Sequence, residues 1–219
     1  NLNYSKIYLI ILRSKLLLLG MKRHFFILIY LFYIISQANA EPRFVELGNS
    51  KSKNCWVYLC GLAESFDSPD EQNHRRILDD IGRELNIRFI ALIPRNRCPK
   101  FDNKICWPHK DPDQASETYQ SIISDLAGTR VKGWIGFSNG GYFLHEISQQ
   151  NIITNPVITI GSPGSLTSTD QIYVMIGRGD TYAYEKSKDL NYKIIEYDGG
   201  HAIDSDSLKK VLELILSLP

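Results

Sequence analysis

From about residue 53 the chain alternates short apolar runs with amphipathic stretches. That alternation predicts β-α-β units and a mainly parallel sheet. Cys55 to Cys60 is a continuous apolar run closed by Gly61, the pattern of a strand buried on both faces. Ser68-Pro69-Asp70-Glu71 then reads as a capping box with Pro at the first helical position, and Ile77, Leu78, Ile81 and Leu85 share one face of the helix that follows. Ile87 to Ile93 is the next predicted strand, and Pro94 through Pro112 a long loop. Tyr119, Ile122, Ile123 and Leu126 form the apolar stripe of a second helix. Val131 to Phe137 is a strand leading directly into a helix over Asn139 to Gln150. Pro156 to Ile160, Ile172 to Ile176 and Tyr192 to Tyr197 are further strands, Ser207 to Leu218 closes the chain as a helix, and Arg43 to Leu47 adds an edge strand. The pattern is that of an α/β fold, a mainly parallel sheet with helices on both faces, in a single compact domain over 41–219.

The first forty residues stand apart from this pattern. Met21 to His24 is a short basic stretch, Phe25 to Ile35 an unbroken apolar run, and Ser36 to Ala40 ends in A-x-A. These are the three regions of a secretory signal, with the mature chain expected to start at Glu41. The apolar run is shorter than the ~20 residues that span a bilayer. Residues 1–20, ahead of Met21, are expected to be an over-extended reading frame. Of the 25 Lys and Arg, five lie before Glu41, which leaves 20 against 24 Asp and Glu, a net −4. A dispersed acidic surplus excludes the basic footprint of a nucleic-acid-binding protein.

Export changes how the four cysteines read, because disulfides persist in oxidising compartments. Cys98 and Cys106 flank a polar stretch of the long loop and are the expected disulfide. Cys55 and Cys60 lie in one predicted strand, on opposite faces and about 16 Å apart at ~3.3 Å per residue, too far to pair with each other. With no C-x-x-C and scattered histidines, no metal site is expected.

Gly136-Phe137-Ser138-Asn139-Gly140 matches G-x-S-x-G and falls between a predicted strand and a predicted helix, where a nucleophilic serine is held on a sharp turn. A serine hydroxyl needs a base, and the base an orienting acid. His201 follows the strand Tyr192 to Tyr197, and Asp180 follows the strand Ile172 to Ile176. The order Ser138, Asp180, His201 is therefore that of the α/β hydrolases. Asp198 and Asp170 compete with Asp180 for the acid. His74, His109 and His145 all precede or immediately follow the serine's strand and compete less well with His201. The oxyanion donors are expected to be the backbone N–H of Asn139 and of Leu62, the latter in the loop after the Cys55 to Cys60 strand.

Cys60-Gly61-Leu62-Ala63-Glu64-Ser65, Gly136 to Gly141 and Tyr197-Asp198-Gly199-Gly200-His201 together resemble the phospholipase/carboxylesterase family of α/β hydrolases, which includes acyl-protein thioesterases and small carboxylesterases. The family usually shows H-G-L-G-D-S and G-F-S-Q-G-G at the first two places. Here Cys60 stands for its histidine. The resemblance implies ester or thioester hydrolysis without a cofactor, with Ser138, Asp180 and His201 as triad and Leu62 and Asn139 at the oxyanion hole. The expected protein is thus a periplasmic or secreted hydrolase of a small-molecule or lipid acyl ester. Different classes remain open: a catalytically silent binding protein on a hydrolase scaffold, or a secreted serine peptidase. In the long loop, Arg95, Arg97, Lys100 and Lys104 could meet an anionic substrate, and Phe101 or Trp107 could line an acyl pocket.

Overall fold

A computed structural model of the chain describes residues 44–63, 67–94, 97–101, 104–164, 171–190 and 193–218. The segment expected to be a signal, and Glu64, Ser65, Arg95, Asp170 and Tyr192, lie outside these residues. Among the described residues seven strands form one sheet: β1 (Phe44–Gly48), β2 (Cys55–Leu59), β3 (Arg88–Leu92), β4 (Val131–Phe137), β5 (Val157–Ile160), β6 (Ile172–Gly177) and β7 (Lys193–Tyr197). Their order is β1-β3-β2-β4-β5-β6-β7. Only β1 runs antiparallel, against β3, and each of the other pairs is parallel. Parallel strands need crossovers, and α1 (Pro69–Glu84), α2 (Pro112–Asp125), α3 (Asn139–Gln149), α4 (Thr181–Ser187) and α5 (Ser205–Leu216) occupy the connections and the C-terminus.

The period of two along β2 sends its side chains alternately to two cores. Trp56 and Tyr58 pack with Leu78 and Ile81 of α1 and with Leu208, Val211 and Leu212 of α5. Cys55, Val57 and Leu59 pack on the other face with Tyr119 and Ile122 of α2 and with Phe143, Leu144 and Ile147 of α3. Covered on both faces, β2, β4, β5 and β6 carry few polar residues, which is why they read as continuous apolar runs. Cys55 and Cys60 fall in opposite cores as free thiols.

Three expectations need correction. Ser68 provides no side-chain cap for α1, although Pro69 does start the helix. The expected partner of that cap, Glu71, is buried instead, 3% exposed, because its carboxylate bonds inward to groups at the end of β2. Ile123 is exposed rather than part of the α2 stripe; Tyr119 and Ile122 already take the face that meets the sheet. The closing helix starts at Ser205, two residues early, because the Asp204 side chain accepts from the Ser207 N–H and caps it.

Candidate active site

Every feature of the site sits just past the C-terminal end of a parallel strand: Leu62 after β2, Ser138 after β4, Asp180 after β6 and His201 after β7. Parallel strands deliver these ends to one edge of the sheet, the usual place for ligands in α/β folds.

Ser138 has φ 50° and ψ −113°, a left-handed backbone that a non-glycine residue adopts at a cost of about 1–3 kcal/mol. The turn is held by the Ser138 N–H donating to the Ile160 carbonyl at 2.8 Å and by the Tyr142 N–H returning to the Ser138 carbonyl at 3.1 Å. Its flanking glycines are required by close approach. A Cβ on Gly136 would lie 2.6 Å from the Gly140 backbone, and one on Gly140 would strike the carbonyls of Leu59 and Cys60. The helix after the serine therefore packs directly on the end of β2.

Asp180 caps α4, its Oδ1 accepting from the Ala183 N–H at 3.2 Å, while its Oδ2 is hydrogen-bonded to Nδ1 of His201. The carboxylate is largely buried and the imidazole is 45% exposed. The loop carrying His201 is stitched to the loop carrying Asp180 by Gly179 N–H to the Gly199 carbonyl at 2.6 Å and Arg178 N–H to the Tyr197 carbonyl at 3.0 Å. Tyr197 adds its hydroxyl, donating to the Ala202 carbonyl at 2.5 Å. The described residues include no hydrogen bond between Ser138 Oγ and His201. The imidazole rests on the ring of Phe137, the residue before the serine, with centroids 5.0 Å apart, and against Gly161.

The competing residues are engaged elsewhere. Asp198 is exposed and paired with Arg178 at 2.8 Å. His145 is buried, its Nε2 2.9 Å from the Ser162 carbonyl, and burial depresses its pKa to about 4. His74 is buried beside Glu71 and edge-on to Phe137.

The loop after β2 is held from two sides. From behind, Glu71 Oε1 accepts from the Gly61 N–H at 3.1 Å and Oε2 from the Tyr58 hydroxyl at 3.2 Å. Burial first, and then this carboxylate, push the Tyr58 phenol and the Cys60 thiol well above their ordinary pKa values, so both stay neutral. From the other side, Trp107 Nε1 donates to the Cys60 carbonyl at 3.0 Å. Glu71 and Trp107 thus hold the backbone of Gly61 and Cys60 from two sides.

Cys98 and Cys106 are disulfide-bonded with their Cα atoms 5.4 Å apart. Ile105 beside them pairs with Ala63 and Arg97 in isolated bridges, so the long loop is tied to the β2 loop. This loop walls a cavity of about 550 Å³ that also takes in Leu62, Ser138, Asn139 and Tyr142. Of the expected substrate contacts, Lys100, Phe101 and Trp107 line it, and Arg97 and Lys104 do not. Sequence reasoning missed Glu71, His109 and Tyr142 at this site; the loop position of His109 offered no periodic signal, and Glu71 was hidden inside a plausible cap. Among the described residues no cluster of His, Cys, Asp or Glu could hold a metal ion, and no helix is long and apolar enough to cross a membrane.

No family model matches the chain, and no curated protein matches it. Solved structures do. It is similar to a lipase-esterase related protein from Clostridium acetobutylicum, at 11% identity over 78% of this chain and 98% of that one, TM-score 0.52. Dienelactone hydrolase from Anabaena variabilis matches at 16% identity over 81% and 92%, TM-score 0.51. A hormone-sensitive lipase from a metagenome library matches at 9% identity over 80% and 81%, TM-score 0.51. With its sheet order and its strand-turn-helix at Ser138, the chain has the fold of the α/β-hydrolase superfamily.

Proposed function

We propose that the chain is an exported serine hydrolase that cleaves carboxylic ester or thioester bonds through an acyl-enzyme. The observation that carries this reading is the His201–Asp180 hydrogen bond, formed at the same sheet edge as a serine whose φ is +50°. Asp180 fixes the proton of His201 on Nδ1, leaving Nε2 as the acceptor for the Ser138 hydroxyl proton. Ser138 Oγ then attacks the acyl carbon, and the imidazolium returns its proton to the leaving alcohol or thiol. The oxyanion is received by the backbone N–H groups of Leu62 and Asn139, on a loop braced by Glu71 and Trp107 and at a helix N-terminus. Water repeats the sequence on the acyl-enzyme with His201 as base. Export is supported by the segment Met21 to Ala40 and by the Cys98–Cys106 disulfide.

Steady-state hydrolysis of p-nitrophenyl esters tests the reading. Ser138→Ala and His201→Ala should each abolish turnover with the far-ultraviolet circular dichroism unchanged. Turnover by both variants at the wild-type rate overturns it.

A further inference from the structure

The cavity beside Ser138 contains an imidazole whose protonation site its neighbours dictate. Asn139 Oδ1 lies 2.6 Å from the Trp107 N–H and must be the acceptor there, which orients the amide. Its Nδ2 consequently faces the Trp107 carbonyl at 3.2 Å and Nδ1 of His109 at 2.9 Å. An amide nitrogen only donates, so across 2.9 Å Nδ1 of His109 accepts; this contact is shorter than the 3.4 Å between Nδ1 and the Trp107 carbonyl, and it assigns the ring proton to Nε2. Among the described residues Nε2 has no partner. The ring lines the cavity and lies against the Tyr142 ring, 5.7 Å between centroids and 29° from parallel. Adding a second proton would set two donors face to face at Nδ1. Burial also lowers the pKa of His109, aided by Lys110 and opposed by the Trp107 carbonyl and Glu146. The ring is therefore a directed N–H donor in a wall that combines apolar groups such as Leu62, Pro99, Phe101 and Pro108 with the polar side chains of Lys100, Lys110, Asp111 and Gln114.

The lining also tells which part of a substrate lies there. A leaving group must sit within reach of His201, which protonates it. His201 is not among the residues lining this cavity, whereas Ser138, Leu62 and Asn139 are. The cavity consequently receives the acyl side. We infer that His109 Nε2–H donates to an oxygen in the acyl chain, so that the protein selects acyl groups bearing an ether, hydroxyl or keto oxygen over plain alkyl chains. The assignment of the acyl side rests on the proposed roles of Ser138 and His201.

Two matched esters test it: p-nitrophenyl 3-methoxypropanoate and p-nitrophenyl pentanoate, whose acyl chains have equal length and differ by one ether oxygen. Comparing wild type with variants cancels their intrinsic reactivities. The ratio of kcat/KM, ether over alkyl, should fall about tenfold in His109→Phe, the worth of one hydrogen bond. In His109→Gln, whose Nε2 restores a donor, it should stay within about threefold of wild type. A ratio unchanged in His109→Phe overturns the inference. Nitrogen NMR of histidine-labelled Ser138→Ala, which retains the ring and cannot form the acyl-enzyme, separates this claim from the hydrolase reading. Nε2 of His109 should carry the proton and respond to methyl 3-methoxypropanoate but not to methyl pentanoate. A response without turnover of any ester by the wild type refutes the hydrolase and keeps the subsite. A proton on Nδ1, or no response from a protein that does turn esters over, removes the subsite and keeps the hydrolase.

Discussion

The side chain of Asn139 brackets the backbone of Trp107, accepting from its N–H at 2.6 Å and donating to its carbonyl at 3.2 Å across 32 residues of chain. One member sits directly after the serine and the other directly after the disulfide, and Trp107 also grips the Cys60 carbonyl through its indole. The disulfide loop is thereby fixed to both sides of the expected oxyanion site. Replacing Cys98 and Cys106 by serine should cost about 2–3 kcal/mol of stability by the chain-entropy account, read from urea denaturation. It should also raise KM for p-nitrophenyl esters more than it lowers kcat, since the loop walls the cavity and contributes none of the reacting groups. A double variant with unchanged KM would separate the loop from substrate binding.

Asp180 divides its carboxylate between two tasks, and substitution should divide them too. Asn keeps an oxygen for the Ala183 N–H and so keeps the cap of α4, but presents an amide donor to His201. Asp180→Asn should retain wild-type stability while turnover drops on the order of 10⁴-fold, by analogy with other triads. Asp180→Ala should lose both, with about 1 kcal/mol of stability for the cap. Full activity in Asp180→Asn would move the acid to another carboxylate.

Gly161 tests how tightly His201 is placed. Its φ is +65°, and a Cβ there would lie 2.8 Å from the His201 ring and 3.5 Å from Asp180. Gly161→Ala should destabilise by about 1 kcal/mol from the backbone alone. Displacing the imidazole should cost a further ~10²-fold in kcat, with KM little changed. Equal losses in kcat and in folded fraction would reduce the effect to one of stability.

Buried His145 should make the protein acid-sensitive. Its folded pKa is about 4 against an ordinary 6.5, so between these values the unfolded chain binds the extra proton. The stabilising contribution is fully present above the unfolded pKa and is lost as pH falls through the window toward the folded one. Between pH ~7 and ~5 this amounts to about 2 kcal/mol. Urea midpoints should fall accordingly in wild type, and fall less in His145→Gln, which does not titrate. An identical pH slope in the two would assign the acid sensitivity to other groups.

Much of the fold was legible because its signals are local. Apolar runs bounded by glycine and proline mark β2, β4 and β6, and a serine between glycines at a strand-helix junction marks its own turn. That Asp180 and His201 would meet was readable through chain order, since parallel strands convert sequence order into position along one sheet edge. What stayed hidden depends on partners distant in sequence. Glu71 was consistent with a helix cap and turned inward only because Gly61 and Tyr58 lie behind it. His109 and Trp107 belong to a loop without periodicity, and their roles follow from Asn139, some thirty residues away.

Covalent labelling tests the proposed nucleophile, Ser138, without assuming a substrate. Wild type and Ser138→Ala should be treated with a fluorophosphonate probe and the adduct located by peptide mass spectrometry. A single adduct on Ser138 is expected in wild type, formed more slowly after His201→Ala, and none in Ser138→Ala. Equal labelling of Ser138→Ala, or an adduct on another residue with Ser138 unmodified, would contradict it.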